Sequence, residues 1–116
     1  MSTDCLFCKI ATKKIPSTII YEDEHVFAFE DIAPQAPVHV LVIPKQHIAT
    51  LDMLTKEDRN IMGIVMERTA HVARLLNVNE KGYRTIINTN SDGGQVVYHI
   101  HAHILGGKPI GAMVAR

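Results

Sequence analysis

Three histidines near the end of the chain occupy alternate positions, at His99, His101 and His103. In a β-strand, alternate side chains point to the same face and lie about 6.6 Å apart along the chain, so these imidazoles are expected to line one face of one strand. A single buried histidine is usually a core residue whose ring nitrogens are hydrogen-bonded. Three at this period would each need partners, and none packs as valine would, so the pattern favours a chemical role.

Two kinds of chemistry suit such a row of imidazoles. One is metal binding, since imidazole is a common ligand of zinc, copper and iron. His99 and His101 are spaced to chelate one ion, but all three spread along a strand fit one ion poorly. The other is nucleophilic catalysis, because an imidazole with an ordinary pKa near ~6.5 is mostly neutral at pH 7 and is not repelled by an anionic phosphate. His39, within an apolar run, adds a fourth imidazole.

The segment before the histidines contains two adjacent glycines, Gly93 and Gly94. Backbone N–H groups without a neighbouring side chain would let an anion approach closely. No helix follows these glycines, so the pattern is neither a P-loop nor a dinucleotide-binding motif. A simple turn explains the pair equally well, and both interpretations stay open.

The two cysteines, Cys5 and Cys8, form a Cys-x-x-Cys pair near the start of the chain. A structural disulfide is not expected in a reducing compartment, which leaves half of a zinc site, a redox pair or two ordinary thiols. A redox pair would be expected beside a βαβ pattern, which this sequence lacks. A zinc site would need two further ligands from elsewhere in the chain.

Length and composition limit the classes of function. The chain has 116 residues, of which 47% are hydrophobic, and this fits one compact domain over residues 1–116. Its 12 basic and 12 acidic residues balance, which argues against binding of long nucleic acid or a membrane surface, although one nucleotide phosphate could still be held. No stretch approaches the roughly 20 apolar residues of a membrane helix. The first residues lack the pattern of a signal peptide, so we expect a cytoplasmic protein.

The elements that position these residues follow from hydrophobic periodicity and turn residues. Pro16 should end a first short helix, Thr55 and Asp58 resemble a capping box for a long helix, and Asn77 is a suitable terminator. In chain order, the sequence predicts a helix over 5–14, strands over 18–21, 26–30 and 38–43, a helix over 55–76, and strands over 83–88 and 96–105. The third strand is nearly all apolar and is therefore expected to be central and buried on both faces. Hairpin-connected strands with one long helix set apart indicate an α+β domain with a mostly antiparallel sheet.

Taken together, these residues resemble a known family. Residues 93–107 read Gly-Gly-Gln-Val-Val-Tyr-His-Ile-His-Ala-His-Ile-Leu-Gly-Gly, which is similar to the mark of the histidine triad superfamily, histidine alternating with hydrophobic residues. The Hint branch in particular is similar in its flanking segments, which here are Phe29-Glu30-Asp31-Ile32, Pro34-Gln35-Ala36-Pro37, His39 and Val42-Ile43-Pro44-Lys45. The resemblance covers nearly the whole chain, from about Leu6 to Gly107.

The resemblance implies both a fold and an activity. The implied fold is an α+β meander with a five-stranded antiparallel sheet, one long and one short helix, and a homodimer in which two subunits join their sheets. The implied activity is hydrolysis at the α-phosphate of purine nucleoside phosphoramidates and related aminoacyl adenylates, with no cofactor needed for catalysis.

The resemblance also implies a role for residues at matching positions. His101 would attack phosphorus and carry the nucleotidyl group, His103 would contact the phosphate near the leaving group, and His39 would hydrogen-bond within the histidine cluster. Asp31 would bind the ribose hydroxyls, as a carboxylate does in dinucleotide sites. The residues implied to enclose the base are Phe7, Ile10, Phe29 and Ile32, and those near the phosphate are Asn88, Gly94, Gln95 and Val96.

Two features differ from the better-known animal members of the branch. Those members carry a serine at the position of Val96, which can hydrogen-bond near the scissile phosphate, and valine cannot. They also lack the cysteine pair, which resembles another part of the superfamily where two cysteines and two histidines hold a structural zinc. The implied ligands here are Cys5, Cys8, His47 and His99, a closed tetrahedral set that would hold the N-terminal helix against the sheet.

Three other functions stay open from the sequence. The first is hydrolysis of dinucleoside polyphosphates, which the substrate turned over would distinguish. The second is a nucleotide-binding regulator whose dimer surface engages protein partners. The third is a zinc or copper metalloenzyme built on the histidines themselves, and only this alternative requires metal for the chemistry.

Overall fold

The computed structural model describes residues 4–114 of the chain. Its helices and strands, in chain order, are α1 (Leu6–Ala11), β1 (Ile19–Glu22), β2 (Val26–Glu30), β3 (Val38–Pro44), α2 (Arg59–Leu75), β4 (Arg84–Ile86) and β5 (Ala102–Gly106). The five strands form one antiparallel sheet in the order β1-β2-β3-β5-β4. The predicted α+β class, with a five-stranded antiparallel sheet and one long and one short helix, is confirmed. Within the described residues, no helix has the length and apolar character needed to cross a membrane.

The central strands are buried on both faces, as predicted for residues 38–43. Alternate residues of β2 and β3 contribute to two separate clusters, because successive side chains of a strand point to opposite faces. The cluster beneath α2 contains Val26, Ala28, Val40, Val42, Val65, Val72, Ala73, Val78 and Ile104. The cluster beneath α1 contains Phe7, Ile10, Phe27, Phe29, Leu41 and Ile43. Odd-numbered residues of β3, including His39, therefore share the face covered by α1.

The start and end of α2 agree with the sequence pattern. Thr55 and Asp58 form the capping box, in which the Thr55 backbone N–H donates to the Asp58 carboxylate at 2.9 Å. A 3-10 turn, Lys56–Asp58, leads into the helix. Asn77 follows the helix with a φ of 59°, a left-handed conformation that asparagine tolerates better than most residues. The predicted terminator is therefore the residue at which the chain leaves the helical conformation.

The first helix and the fourth strand are shorter than predicted. The helix predicted over 5–14 ends at Ala11, because Lys13 takes a left-handed conformation with a φ of 65°. The strand predicted over 83–88 is confined to Arg84–Ile86, which pairs with the three middle residues of β5, from His103 to Leu105.

The strand predicted over 96–105 begins only at Ala102, and this changes the arrangement of the histidines. Continuing the β3–β5 register would place Pro44 opposite Ile100. Pro44 has no N–H to donate to a ladder, and the Ile100 N–H instead donates to the carbonyl of Ile48 at 2.7 Å. The prediction that His99, His101 and His103 line one face of one strand is therefore wrong, because only His103 lies in β5.

Asp23 ties the turn between β1 and β2 to the long helix. One carboxylate oxygen accepts from Arg68 of α2 at 2.6 Å and from the Tyr21 hydroxyl at 2.7 Å. The other accepts the backbone N–H groups of His25 and Val26 at 2.8 and 2.9 Å. Burial disfavours the charged carboxylate, but these hydrogen bonds outweigh it, so the pKa of Asp23 lies below its ordinary value.

Replacing Asp23 with asparagine should lower the free energy of unfolding at pH 7 by about 1.5–3 kcal/mol, the usual range for hydrogen bonds to a charged group. Because the folded pKa lies below the unfolded value near ~3.9, the stabilisation is present above that value and is lost as pH falls through the folded pKa. Urea unfolding at pH 7 and at pH 3 measures both effects. Glu24→Gln, at an exposed neighbouring position, is the control. Equal stability losses in the two variants would contradict this role.

Candidate active site

Three histidine rings and one phenylalanine ring form a continuous row on the face of the sheet covered by α1. The ring centroids of His39 and His103 are 5.2 Å apart, and those of His103 and His101 are 4.9 Å apart. The Phe7 ring from α1 packs nearly perpendicular to the His101 ring, with centroids 5.0 Å apart. The structure thus brings together residues that are up to 96 positions apart in the sequence.

A backbone donor fixes the protons on His39 and His103. The N–H of Gln35 donates to Nδ1 of His39 at 3.1 Å, so in a neutral ring the proton of His39 is on Nε2. That Nε2 lies 2.9 Å from Nδ1 of His103 and donates to it. His103 therefore carries its own proton on Nε2, the nitrogen on the far side of the ring from His39.

A backbone acceptor fixes the proton on His101. Its Nδ1 lies 2.7 Å from the carbonyl oxygen of His99, which can only accept, so Nδ1 carries the proton and Nε2 keeps the lone pair. Burial lowers the pKa of His101 below its ordinary value. A buried, oriented and neutral imidazole with a lone pair on Nε2 is the arrangement that a nitrogen nucleophile requires.

Burial also lowers the pKa of His103, to about 4. The nearby charge of Asp31 acts in the opposite direction on His101 and His103, without reversing either shift. One oxygen of Asp31 accepts the N–H of Ala33 at 2.8 Å, and the other lies 3.4 Å from Nε2 of His39. Asp31 is thus held at the edge of the histidine row and gives it a negative charge.

Three of the four residues predicted to enclose a base lie together. Phe7 and Phe29 pack edge to face with ring centroids 5.3 Å apart, and Ile10 belongs to the same cluster. Ile32 does not: its side chain is fully exposed. These three side chains are buried in the cluster beneath α1, where Phe7 contacts His101, whereas Ile32 projects from the loop that follows β2.

The loop over 88–96 is organised by its own polar groups. The Asn88 side chain donates to the carbonyl of Gly93 at 2.7 Å. Gln95 is buried, and its amide donates to the carbonyls of Ala49 and Val97 and accepts from the backbone N–H of Asn90. Gln95 therefore holds the loop against the segment after β3, a role that its sequence position did not reveal.

The two glycines of this loop meet different requirements. A side chain at Gly93 would place its Cβ 2.3 Å from the carbonyl oxygen of Thr89, so the backbones touch here. Gly94 has a φ of 81°, which favours glycine. Val96, two residues later, is 87% exposed. The loop is a close-packed turn that presents an apolar side chain to solvent.

A second cluster, which includes His99, has the dimensions of a tetrahedral metal site. The four donor atoms of Cys5, Cys8, His47 and His99 all lie within 4.8 Å of one another. Nδ1 of His99 is 3.3 Å from Nδ1 of His47 and 3.3 and 3.5 Å from the two sulfurs. At ordinary zinc–ligand lengths, tetrahedral geometry separates two nitrogens by about 3.3 Å and a nitrogen from a sulfur by about 3.6 Å.

The protons of this cluster also fit a metal site. Nε2 of His99 lies 2.7 Å from the carbonyl of Pro44 and donates to it, which leaves the lone pair on the Nδ1 that faces the sulfurs. This is the outer hydrogen bond that a histidine ligand typically makes. Burial lowers the pKa of His99 to about 4 and, with the nearby Cys5 thiol, raises that of Cys8 to about 11, so the His99 ring is neutral and a thiolate at Cys8 needs a nearby cation.

Comparison with known proteins identifies close relatives. The sequence model of the HIT domain family matches residues 12–110. The chain is 46% identical over 116 residues to the purine nucleoside phosphoramidase of Escherichia coli, covering 100% of this chain and 98% of that protein. It is 49% identical over 110 residues to an uncharacterized HIT-like protein of Synechococcus elongatus, covering 95% of this chain and 96% of that protein.

Solved structures show the same fold. A HIT family hydrolase from Clostridium thermocellum superposes with a TM-score of 0.94 at 44% identity, covering 99% of this chain and 100% of that one. A HIT family hydrolase from Legionella pneumophila gives a TM-score of 0.91 at 47% identity, covering 93% and 96% of the respective chains.

His103 should stay neutral at pH 6, because burial lowers its pKa to about 4, and should carry its proton on Nε2, because His39 donates to its Nδ1. The unfolded chain binds that proton near pH ~6.5, so the free energy of unfolding should fall as pH drops from ~6.5 to ~4. Nitrogen-15 NMR of the histidine rings gives tautomer and charge, and urea unfolding gives the slope. His103→Gln should flatten that slope. A ring that is protonated at pH 6 would contradict the assignment.

Proposed function

Because this chain belongs to the HIT domain family, we propose that it is a hydrolase that cleaves purine nucleoside phosphoramidates and related aminoacyl adenylates at the α-phosphate. The observation that carries the proposal is the orientation of His101, whose Nδ1–H is bound to the His99 carbonyl so that Nε2 keeps the lone pair. The similarity to a protein named purine nucleoside phosphoramidase supports this class of substrate.

The reaction proceeds through a nucleotidyl-histidine intermediate. Nε2 of His101 attacks phosphorus, the bond from phosphorus to the leaving nitrogen or oxygen breaks, and the leaving group departs with its electron pair and takes up a proton. Water then attacks the same phosphorus, which releases the nucleoside monophosphate and restores His101. Covalent catalysis divides one difficult displacement into two easier ones.

The neighbours of His101 support each part of this reaction. His103 directs Nε2–H away from His39, where it can donate to the phosphate on the side of the leaving group. The lowered pKa of His101 keeps the attacking ring neutral at pH 7. His39 donates to Nδ1 of His103 and so holds His103 in this tautomer. The role of His39 is therefore to fix the position of the proton on His103.

Residues around the histidine row recognise the substrate in this proposal. Asp31 accepts from the ribose hydroxyls with the oxygen that faces His39. Phe7, Ile10, Phe29 and Ile32 enclose the purine base, and Asn88, Gly94 and Gln95 surround the phosphate. Gln95 acts there by holding the loop, since its amide atoms are bound to backbone groups. Exposed Val96 gives the leaving group an apolar neighbour.

We also propose that Cys5, Cys8, His47 and His99 hold one structural zinc. The distances among their donor atoms and the outer hydrogen bond of His99 support a closed tetrahedral set. When bound, zinc would stabilise the two thiolates and fasten α1 to the segments that contain His47 and His99. No step of the hydrolysis uses it.

The second copy of the chain is the proposed protein partner. Among the described strands, β4 is at the edge of the sheet and pairs with β5 alone, and the edge of a sheet is suited to pairing with another strand. A homodimer in which two such edges meet would join the two sheets.

His101→Ala should abolish release of AMP from a model adenosine phosphoramidate, because it removes the only nitrogen placed to attack in this proposal. AMP binding should be largely kept, since the proposed base and ribose contacts do not involve His101. Activity and AMP titration measure the two effects, and acid-free quenching followed by mass spectrometry should find the nucleotide attached to His101 in the wild type. Unchanged turnover in the variant would refute the nucleophile. Faster turnover of a dinucleoside polyphosphate than of the phosphoramidate would favour that alternative substrate class.

Asp31→Asn should weaken binding of AMP more than binding of 2′-deoxy-AMP, because the carboxylate contributes only where the hydroxyl is present. The lost charge-assisted hydrogen bond corresponds to roughly 1.5–3 kcal/mol. Isothermal titration of both nucleotides with both proteins gives the difference directly. Because Asp31 also lies near His39, the 2′-deoxy nucleotide serves as the internal control, and equal losses for the two ligands would remove Asp31 from the ribose site.

A further inference from the structure

The segment that contains His101 is not held by the sheet. Residues 95–101 precede β5, so ladder hydrogen bonds do not fix them. The Ile100 N–H donates to the carbonyl of Ile48, and the buried Gln95 amide holds the start of the segment. Two further anchors are the side chains of Ile100, which is 2% exposed, and His99, which is completely buried.

His99 connects the two clusters through different atoms. Its Nδ1 lies among the donor atoms of Cys5, Cys8 and His47, and its Nε2 donates to Pro44. Its carbonyl oxygen accepts the proton of His101 Nδ1 at 2.7 Å. One residue thus supplies both a ring nitrogen of the cysteine-containing cluster and the carbonyl that sets the tautomer and the direction of the His101 ring.

A second connection runs through the first helix. Cys5 is the N-cap of α1 and Cys8 lies within it. Phe7, between them, packs against His101 with ring centroids 5.0 Å apart and against His99 with ring centroids 6.1 Å apart. The four-residue cluster thus holds His101 from two sides, through the His99 carbonyl and through the Phe7 ring.

We propose that Cys5, Cys8 and His47 are positioning residues for His101, and that the metal ion they share with His99 sets the alignment of the nucleophile as well as the stability of the fold. This inference rests on the proposed function of His101 and on the zinc site. Displacement of a reacting group by about 1 Å can reduce a rate by roughly 100-fold, so loss of the cluster should appear in the chemical step. A cluster that only fastens α1 would change the melting temperature and leave the chemical step unaltered.

The test uses His47, because it is outside both α1 and the segment that contains His101. His47→Ala removes one ligand, whereas His47→Cys offers a thiolate in its place and keeps a tetrahedral set of four ligands. The stability control is Asp23→Asn, which acts at the turn between β1 and β2. For each protein, zinc content, melting temperature, single-turnover rate with an adenosine phosphoramidate, AMP affinity and the nitrogen-15 NMR tautomer of His101 are measured.

His47→Ala should contain less zinc, react about 10-fold to 100-fold more slowly, and lose the defined Nδ1–H form of His101, with AMP affinity changed much less than the rate. His47→Cys should restore zinc, rate and tautomer together, and Asp23→Asn should lower the melting temperature without altering the rate or the tautomer. If His47→Ala is poorly folded, wild-type protein stripped of metal by a chelator and then refilled with Zn²⁺ provides the same comparison.

Three results would overturn the proposal. The first is a metal-depleted protein that keeps the wild-type rate and His101 tautomer. The second is an equal rate loss in Asp23→Asn, which would make the effect one of general destabilisation. The third is wild-type protein that takes up no zinc and yet has the ordered His101 tautomer. If zinc-loaded wild type releases no AMP from the phosphoramidate, the proposed function fails, and the NMR comparison still decides whether the cluster orders His101.

Discussion

Pro44 imposes the constraint on which the histidine cluster depends. A proline at the end of β3 has no N–H to offer to a ladder, so the pairing between β3 and β5 stops before it. Its carbonyl is then available to the ring of His99. The chain from Gln95 to His101 lies outside the ladder between β3 and β5. In a continuous ladder, His99 and His101 would have been held by strand geometry. Here they are held by single hydrogen bonds to backbone carbonyls. As a result, His99 can join the cluster with the two cysteines, and His101 can join the histidine row.

Four histidines thus have four environments that are set by neighbouring backbone groups. Gln35 donates to His39, the His99 carbonyl accepts from His101, and the Pro44 carbonyl accepts from His99. His103 receives its proton position indirectly, through His39. Because neutral imidazole has one donor and one acceptor, each backbone contact decides which nitrogen is left for chemistry or for metal.

The sequence was sufficient to predict most of the fold, because periodicity, capping residues and prolines are local features. Those patterns agree with three observed features: the burial of β3 on both faces, the capping box at Thr55 and the left-handed Asn77 just after α2. The alternation of His99, His101 and His103 identified the site but gave the wrong local geometry, since it contained no information on where pairing with β3 would stop. The backbone contacts of the histidines and the hydrogen bonds of the Gln95 amide depend on tertiary structure. They therefore cannot be predicted from the types and spacing of the residues. The exposure of the Ile32 side chain depends on the path of the loop after β2, and it could not be predicted from the sequence either.

The anchor at Gln35 has a consequence for how this site can vary. The contact to His39 is made by the main chain, while the Gln35 side chain is exposed. Nineteen of the twenty amino acids supply the same N–H, and only proline does not. Most substitutions of Gln35 should therefore leave the proton positions of the histidine row unchanged, although the backbone N–H of this residue helps to set them. Of all substitutions at position 35, the one to proline is the one that would remove the donor to His39 and leave its Nδ1 without this hydrogen bond.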